Sequence, residues 1–236
     1  MTTPIVSVVL GTCNRVHFLR RSVASIHTAC GNLAYEIIIV DAGSTDGTKE
    51  YLLQLANNSK NVRVIQQGER LGAVAAFNAG FKAARGEFVA ATNDDCEYIG
   101  APLMHAVTQL RADKLTGQVA IPFLACGGMR DITQLPDEVR GIPKVQLVAL
   151  PGYGTVVYAN FSVIRRELGD ELGWWGSYQH YAGDTELSAR VWERRLSVKR
   201  LNTPGHYLVH YELEDATRVP NVETAIFTTR WRARSQ

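Results

Sequence analysis

The chain has 236 residues, 46% of them hydrophobic and 20% charged, with a formal net charge of +2. That balance is globular, which excludes a disordered polyelectrolyte and gives no whole-molecule field for a polyanion. No apolar run approaches the roughly 20 residues needed to cross a bilayer, and no basic leader precedes the first apolar stretch, so no transmembrane segment and a cytoplasmic location are expected. Taken in chain order, "IVSVVL" (Ile5 to Leu10) is β-branched and reads as a buried strand. "NRVHFLRRSVASIHTA" follows with Val16, Leu19, Val23 and Ile26 at helical spacing. "EIIIV" (Glu36 to Val40) is a second buried strand, closed by the loop "DAGSTDGT". There Ser44 or Thr45 is expected to cap the next helix, and Asp46 to favour its N-terminus. "VRVIQ" (Val62 to Gln66) is a third strand, "LGAVAAFNAGFKAARG" an Ala-rich helix ended by Gly86, and "EFVAAT" a fourth strand. "APLMHAVTQLRA" is a further helix with Pro102 in its first turn.

Residues 123 to 152 read as one long connection, the kind of loop that is usually functional. "GTVVYANFSVIRRELG" reads as a strand and short helix, and "DTELSARVWERRL" as a helix with Leu187, Val191 and Leu196 on or near one face. "SVKRL" and "HYLVHYE" look like closing strands, and "NVETAIFTTRWRARSQ" like a helix with a basic tail. Alternating strands and helices imply an α/β fold, a mostly parallel central sheet with helices on both faces. No repeat or linker divides the chain, so one domain over residues 1–236 is expected. Cys13, Cys30, Cys96 and Cys126 form no CxxC pair, which argues against a zinc site or disulfide framework.

In such sheets ligands bind beyond the carboxyl ends of the strands. Three polar groups are delivered there: "GTCN" after strand one, "DAGS" after strand two and "NDD" after strand four. No GxGxxG follows strand one and no GxxxxGK[ST] occurs, which disfavours a dinucleotide fold and a P-loop. The adjacent carboxylates Asp94 and Asp95 repel unless a positive charge lies between them. A hard divalent cation, Mn2+ or Mg2+, takes one or two carboxylates and completes its shell with water and phosphate oxygens, which implies a diphosphate ligand.

Four blocks, "VSVVLGTCNR", "IIIVDAGSTDGT", "RLGAVAAFNAGFKAARGEFVAATNDD" and "YAGDTELSARVWERRLSV", occur in that order. Together they resemble the inverting family 2 of nucleotide-sugar glycosyltransferases, which have a GT-A fold, over most of the chain from Ile5 to about His210. The resemblance implies a nucleotide-binding half over 1–98 and an acceptor-binding, catalytic half over 99–236. It implies that Thr12, Asn14 and Arg15 border the nucleotide, that Asp41 faces base or ribose, and that Arg70 and Asn78 hold the nucleotide side. "NDD" matches the family's D-x-D: Asn93 stands at the ribose position, Asp95 at the metal position, and Asp94 lies between them. A third metal ligand comes from a late histidine, His210 or else His206, which share one face of an alternating strand. An acceptor hydroxyl must lose its proton as it attacks, and a carboxylate in reach can take it. Asp184 matches the family's catalytic Asp, at a helix N-terminus whose dipole would keep it ionised. Glu186 is the other candidate base.

Three positions depart from the family pattern: Ala42 for the second Asp of "VDD", Gly183 for the Glu before the base, and Asn93 for the first Asp of the triplet. These leave the nucleotide of the donor open. "FTTRW" has Phe227 where processive synthases have the Gln of Q-x-x-R-W, so one sugar per encounter is expected. "GWWGSYQHY" places Trp174 and Trp175 as an aromatic acceptor platform, against ordinary core packing. The acceptor presents a hydroxyl of undetermined class: a glycan, a lipid-linked intermediate, a protein side chain or a hydroxymethylated nucleic-acid base. Arg230, Arg232 and Arg234 form a basic tail suited to nucleic acid or an anionic lipid surface. The competing readings are a nucleotidyltransferase and a non-catalytic protein that binds sugar nucleotides.

Overall fold

The structure is a computed structural model that describes residues 3–126, 143–150 and 152–211, together with Glu223, Ile226, Phe227, Thr229 and Trp231. A seven-stranded sheet organises it. β1 (Val6–Thr12), β2 (Tyr35–Asp41), β3 (Val62–Gln66) and β4 (Phe88–Ala91) are parallel, with β1 between β2 and β4. β10 (Ser162–Arg165) pairs antiparallel with β4 and with β6 (Thr116–Ala120), and β11 (Ser197–Arg200) closes the edge parallel to β6. The order is β11-β6-β10-β4-β1-β2-β3.

Strand alternation sends side chains to two cores. Val6, Val8 and Leu10 join α1 (Val16–Cys30) and α4 (Pro102–Ala112) on one face. Val9 joins α3 (Ala73–Ala83) and α6 (Gly183–Glu193) on the other. Helices therefore cover both faces, as the alternating pattern requires. Gly80 lets α3 lie directly on β1, since a Cβ there would run into Val9. α2 (Thr48–Asn58) and α5 (Arg166–Leu172) complete the described helices, none of which is long and apolar enough to cross a membrane.

Several local expectations are corrected. α3 ends at Ala83, and Gly86 instead lies where a Cβ would meet the Ser7 amide nitrogen at 2.7 Å, so it permits a close backbone approach. Neither Ser44 nor Thr45 caps α2: Gly47 is the cap at φ 91°, and Asp46 accepts from the Thr48 N–H at 3.1 Å. α6 stops at Glu193, before Leu196. The segment 123–152 is not one loop, because it contains β7 (Phe123–Ala125) and β8 (Gln146–Leu150), the latter paired with β9 (Gly154–Tyr158). "GTVVYANFSVIRRELG" holds two strands, not one. β5 (Cys96–Ile99) and β6 were unforeseen. β5 is very short, and β6, "TGQVA", buries Thr116 and Gln118 among its five residues.

A second, three-stranded sheet matters most for the site. β12 (Tyr207–His210) pairs antiparallel with β5 and parallel with β7. His210 is registered opposite Cys96, and the Tyr211 N–H donates to the Asp95 carbonyl at 2.9 Å. A strand from far along the chain is thus fastened to the acidic turn. The basic tail Arg230, Arg232 and Arg234, and residues 127–142 of the 123–152 connection, lie outside the described residues.

Candidate active site

The carboxyl ends of β1, β2 and β4 converge as expected, but much of their polar chemistry faces inward. Asp94 and Asp95 are each only 4% exposed. The Thr12 hydroxyl donates to Asp94 Oδ2 at 2.8 Å, and Arg15 Nη1 donates to Asp94 Oδ1 at 3.1 Å. The same Arg15 nitrogen lies 3.5 Å from Asp95 Oδ2. Burial, against the attraction of Arg15, pushes the Asp94 carboxyl up to about 6, and the neighbouring charge of Asp95 adds to the rise. Thr12, expected beside the nucleotide, thus bonds to Asp94 beneath the turn, and Arg15 reaches toward both carboxylates.

The first loop is fastened to the second. Asn14, at φ 54°, accepts the Thr45 N–H at 2.6 Å, and its own N–H donates to Ser44 Oγ at 2.9 Å. Asp41 is fully buried, with Oδ1 accepting from the Ser44 N–H and hydroxyl and, among the described residues, no partner to its second oxygen. Arg70 is exposed at the start of α3. Asn78 donates to the Gly176 carbonyl at 3.2 Å and accepts the Trp175 N–H at 3.2 Å, so it clamps the loop before α6.

His210, not His206, stands with Asp95. His210 Nε2 lies 3.4 Å from Asp95 Oδ1 and 3.5 Å from Asn93 Nδ2. His206 accepts the Ala101 N–H through Nδ1 at 2.9 Å and stacks on His105, so it belongs to the start of α4. Ligand atoms of Asp95, Cys96 and His210 lie within 4.8 Å of one another. The Cys96 thiol sits in the apolar core, and burial, then Asp95, holds it well above the usual range, which suits a protonated packing group. The remaining pair, one carboxylate and one imidazole, fits a divalent cation that also accepts oxygen from a diphosphate.

Asp184 lies at the first turn of α6, after Ala182 at φ 60°. Its Oδ1 accepts the Thr185 N–H at 2.7 Å, and its Oδ2 accepts Asn160 Nδ2 at 2.8 Å. Burial raises its carboxyl above the ordinary value, against the Thr185 and Asn160 bonds. Glu186 is no rival: it is buried and accepts from Tyr178 at 3.2 Å and from Trp231 Nε1 at 2.9 Å.

The aromatic platform is corrected in part. Trp174 is 6% exposed, stacks on Phe81 at 4.5 Å, and donates to Asp170 at 2.8 Å, so it is a core residue. Trp175 is half-buried against Phe77, over Gly183, where a Cβ would meet its own at 2.7 Å. A glutamate at position 183 would therefore collide with Trp175.

Sequence reasoning missed the residues that join the two halves. Asn160 holds Asp184, while the next ring, Phe161, lies 5.2 Å from His210. A polar residue inside the apolar run "TVVYANFSVI" was the available signal. Glu223 was missed too: it accepts the backbone N–H groups of Gln179, His180 and Tyr181 at 2.6, 2.8 and 2.6 Å, which fastens the loop ahead of Asp184.

A model described as "Glycosyl transferase family 2" matches residues 7–173. An uncharacterized protein of Sinorhizobium fredii is 28% identical over 240 residues, 89% of this chain and 25% of that protein. The glycosyltransferase AglE of Haloferax volcanii is 30% identical over 96 residues, 40% of this chain and 32% of that protein. In fold, the chain is similar to the mannosyltransferase PcManGT from Pyrobaculum calidifontis in complex with GDP-Man and Mn2+. The TM-score is 0.63 at 22% identity, over 92% of this chain and 59% of that one. S. aureus TarS 1–349 gives a TM-score of 0.63 at 17% identity, over 87% and 60%. The chain thus spans a quarter to a third of these two curated relatives.

Proposed function

This chain belongs to glycosyl transferase family 2, and from that premise we propose that it moves one sugar from a nucleotide-diphosphate donor to an acceptor hydroxyl with inversion. The observation that carries the reading is the bridge at residues 160 and 161. It ties Asp184 to one side chain and sets the next against His210, which stands at Asp95.

In this proposal Asp184 is the general base. Its carboxylate takes the proton from the acceptor oxygen while that oxygen bonds to the anomeric carbon and the bond to the donor phosphate breaks. A direct displacement inverts that carbon and releases a nucleoside diphosphate. Asp95 and His210 would hold a divalent cation, Mn2+ or Mg2+, which supplies charge stabilisation to the departing diphosphate. Mn2+ is favoured by the solved neighbour that carries it with GDP-Man. Asn93, beside His210, would contact the ribose, and the exposed Arg70 the donor phosphates.

Thermal-shift screening of nucleotide sugars with and without Mn2+ identifies the donor, because a ligand raises the melting point only where it binds the folded state. Release of nucleoside diphosphate in the presence of Mn2+ then supports transfer, whereas release of pyrophosphate would point to nucleotidyl transfer. Binding without turnover would leave a non-catalytic sugar-nucleotide protein. Asp184→Asn should abolish transfer while keeping donor binding. Full activity in that variant would remove Asp184 as the base.

A further inference from the structure

We infer that Arg15 is the resident counter-cation of the Asp94–Asp95 pair, and that a divalent cation binding at Asp95 has to compete with it. The inference rests on the proposed metal role of Asp95. Two adjacent carboxylates, each 4% exposed, cannot both stay ionised cheaply without a positive partner. Arg15 supplies it, at 3.1 Å from Asp94 Oδ1 and 3.5 Å from Asp95 Oδ2.

The two acids are engaged differently. Asp94 has one oxygen on Thr12 and the other on Arg15. Asp95 divides its oxygens, Oδ2 toward Arg15 and Oδ1 toward His210 at 3.4 Å. A cation shared by Asp95 and His210 therefore meets a carboxylate whose other oxygen already faces a guanidinium. The backbone carrying Arg15 is fastened on both sides, since Asn14 bonds to Ser44 and Thr45 and the Val16 N–H donates to Asp46 at 3.2 Å. The positive charge is held there by a braced loop, on a side chain that is three-quarters buried. A like charge at such a neighbouring position weakens cation binding on the order of tenfold, even at the dielectric constant of water. An incoming diphosphate offers the guanidinium other oxygens, so the donor would relieve the competition that the metal alone meets.

The test uses Mn2+ alone, with free Mn2+ read by electron paramagnetic resonance, in the wild type and in Arg15→Gln, Arg15→Lys, Arg21→Gln and Asp95→Ala. Arg15→Gln should bind Mn2+ on the order of tenfold more tightly. Arg15→Lys, which keeps the charge, should stay near the wild type, and so should Arg21→Gln, whose arginine is bound to Glu97 and Tyr211. If Arg15→Gln is poorly folded, Arg15→Met keeps the aliphatic stem and reads the same quantity. Unchanged or weaker binding in the neutral Arg15 variants would overturn the inference. Binding that survives Asp95→Ala undiminished, or that is absent from every variant, overturns the metal role itself, and the inference falls with it.

Discussion

Replacing Asn160 by leucine tests the link between the base and the rest of the site. Leucine keeps the branching of asparagine and removes the carboxamide, both the Nδ2 that reaches Asp184 Oδ2 at 2.8 Å and the buried carbonyl oxygen beside it. A hydrogen bond to a charged group is worth about 1.5–3 kcal/mol, and about 1.4 kcal/mol is a factor of ten. Burial already raises the Asp184 carboxyl, while the Thr185 backbone and hydroxyl and the Asn160 amide draw it back. Loss of Asn160 removes part of that counterweight, so the ionised form becomes scarcer. A general base acts when ionised, and the acid limb of kcat/KM should therefore move to higher pH. At a pH on that limb the rate should fall at least about tenfold, and above the limb most of it should return. Stability has a fixed sign as well. Because the folded-state carboxyl lies above its unfolded value, Asp184 favours folding below the unfolded value, and that contribution is lost as pH rises through the folded one. Nucleoside diphosphate release measured across pH is the assay. An equal loss at every pH with the limb unmoved would show that Asn160 only supports packing, and the argument for its acting through Asp184 would fail.

Three other perturbations separate structural from functional roles. Trp174→Ala should cost about 3–5 kcal/mol in urea unfolding, whereas a Trp174 that served only as an acceptor platform would leave the unfolding midpoint unmoved. Gly183→Glu, which restores the family residue, should destabilise by about 1–3 kcal/mol through collision with Trp175, and pairing it with Trp175→Gly, which removes the colliding Cβ, should recover part of that loss. Glu223→Gln should speed hydrogen exchange at the amides of Gln179, His180 and Tyr181, which now share one carboxylate. Unchanged exchange there would mean that the loop is held by other contacts.

The β-branched runs at Val6–Thr12 and Tyr35–Asp41 announce buried strands because their central residues, Val8 to Leu10 and Ile37 to Val40, are all apolar and all buried. Asp95 and Asp184 stand out in the sequence as candidates because one follows a buried strand and the other opens a helix, each inside a specific motif. Gln118 shows the opposite case. Nothing in "TGQVA" predicts a central strand, because the partners that satisfy its buried amide, Ser162 and Ser188, lie 44 and 70 residues away. By alternation His206 and His210 would share a strand face, but His206 lies just before β12, and only the pairing of β12 with β5 places His210 beside Asp95. Asp94 and Asp95 are chemically identical neighbours. Their different surroundings are set by Thr12 and Arg15, which the chain brings across from 82 and 79 residues before Asp94. The sequence by itself determined the strands and helices of the first half and which acids reach the sheet edge, since periodicity acts over a few residues. Tertiary structure decided which acid is held by Thr12, which histidine faces the other acid and which tryptophan is core. Those outcomes depend on charges and surfaces that meet only after the strands have paired.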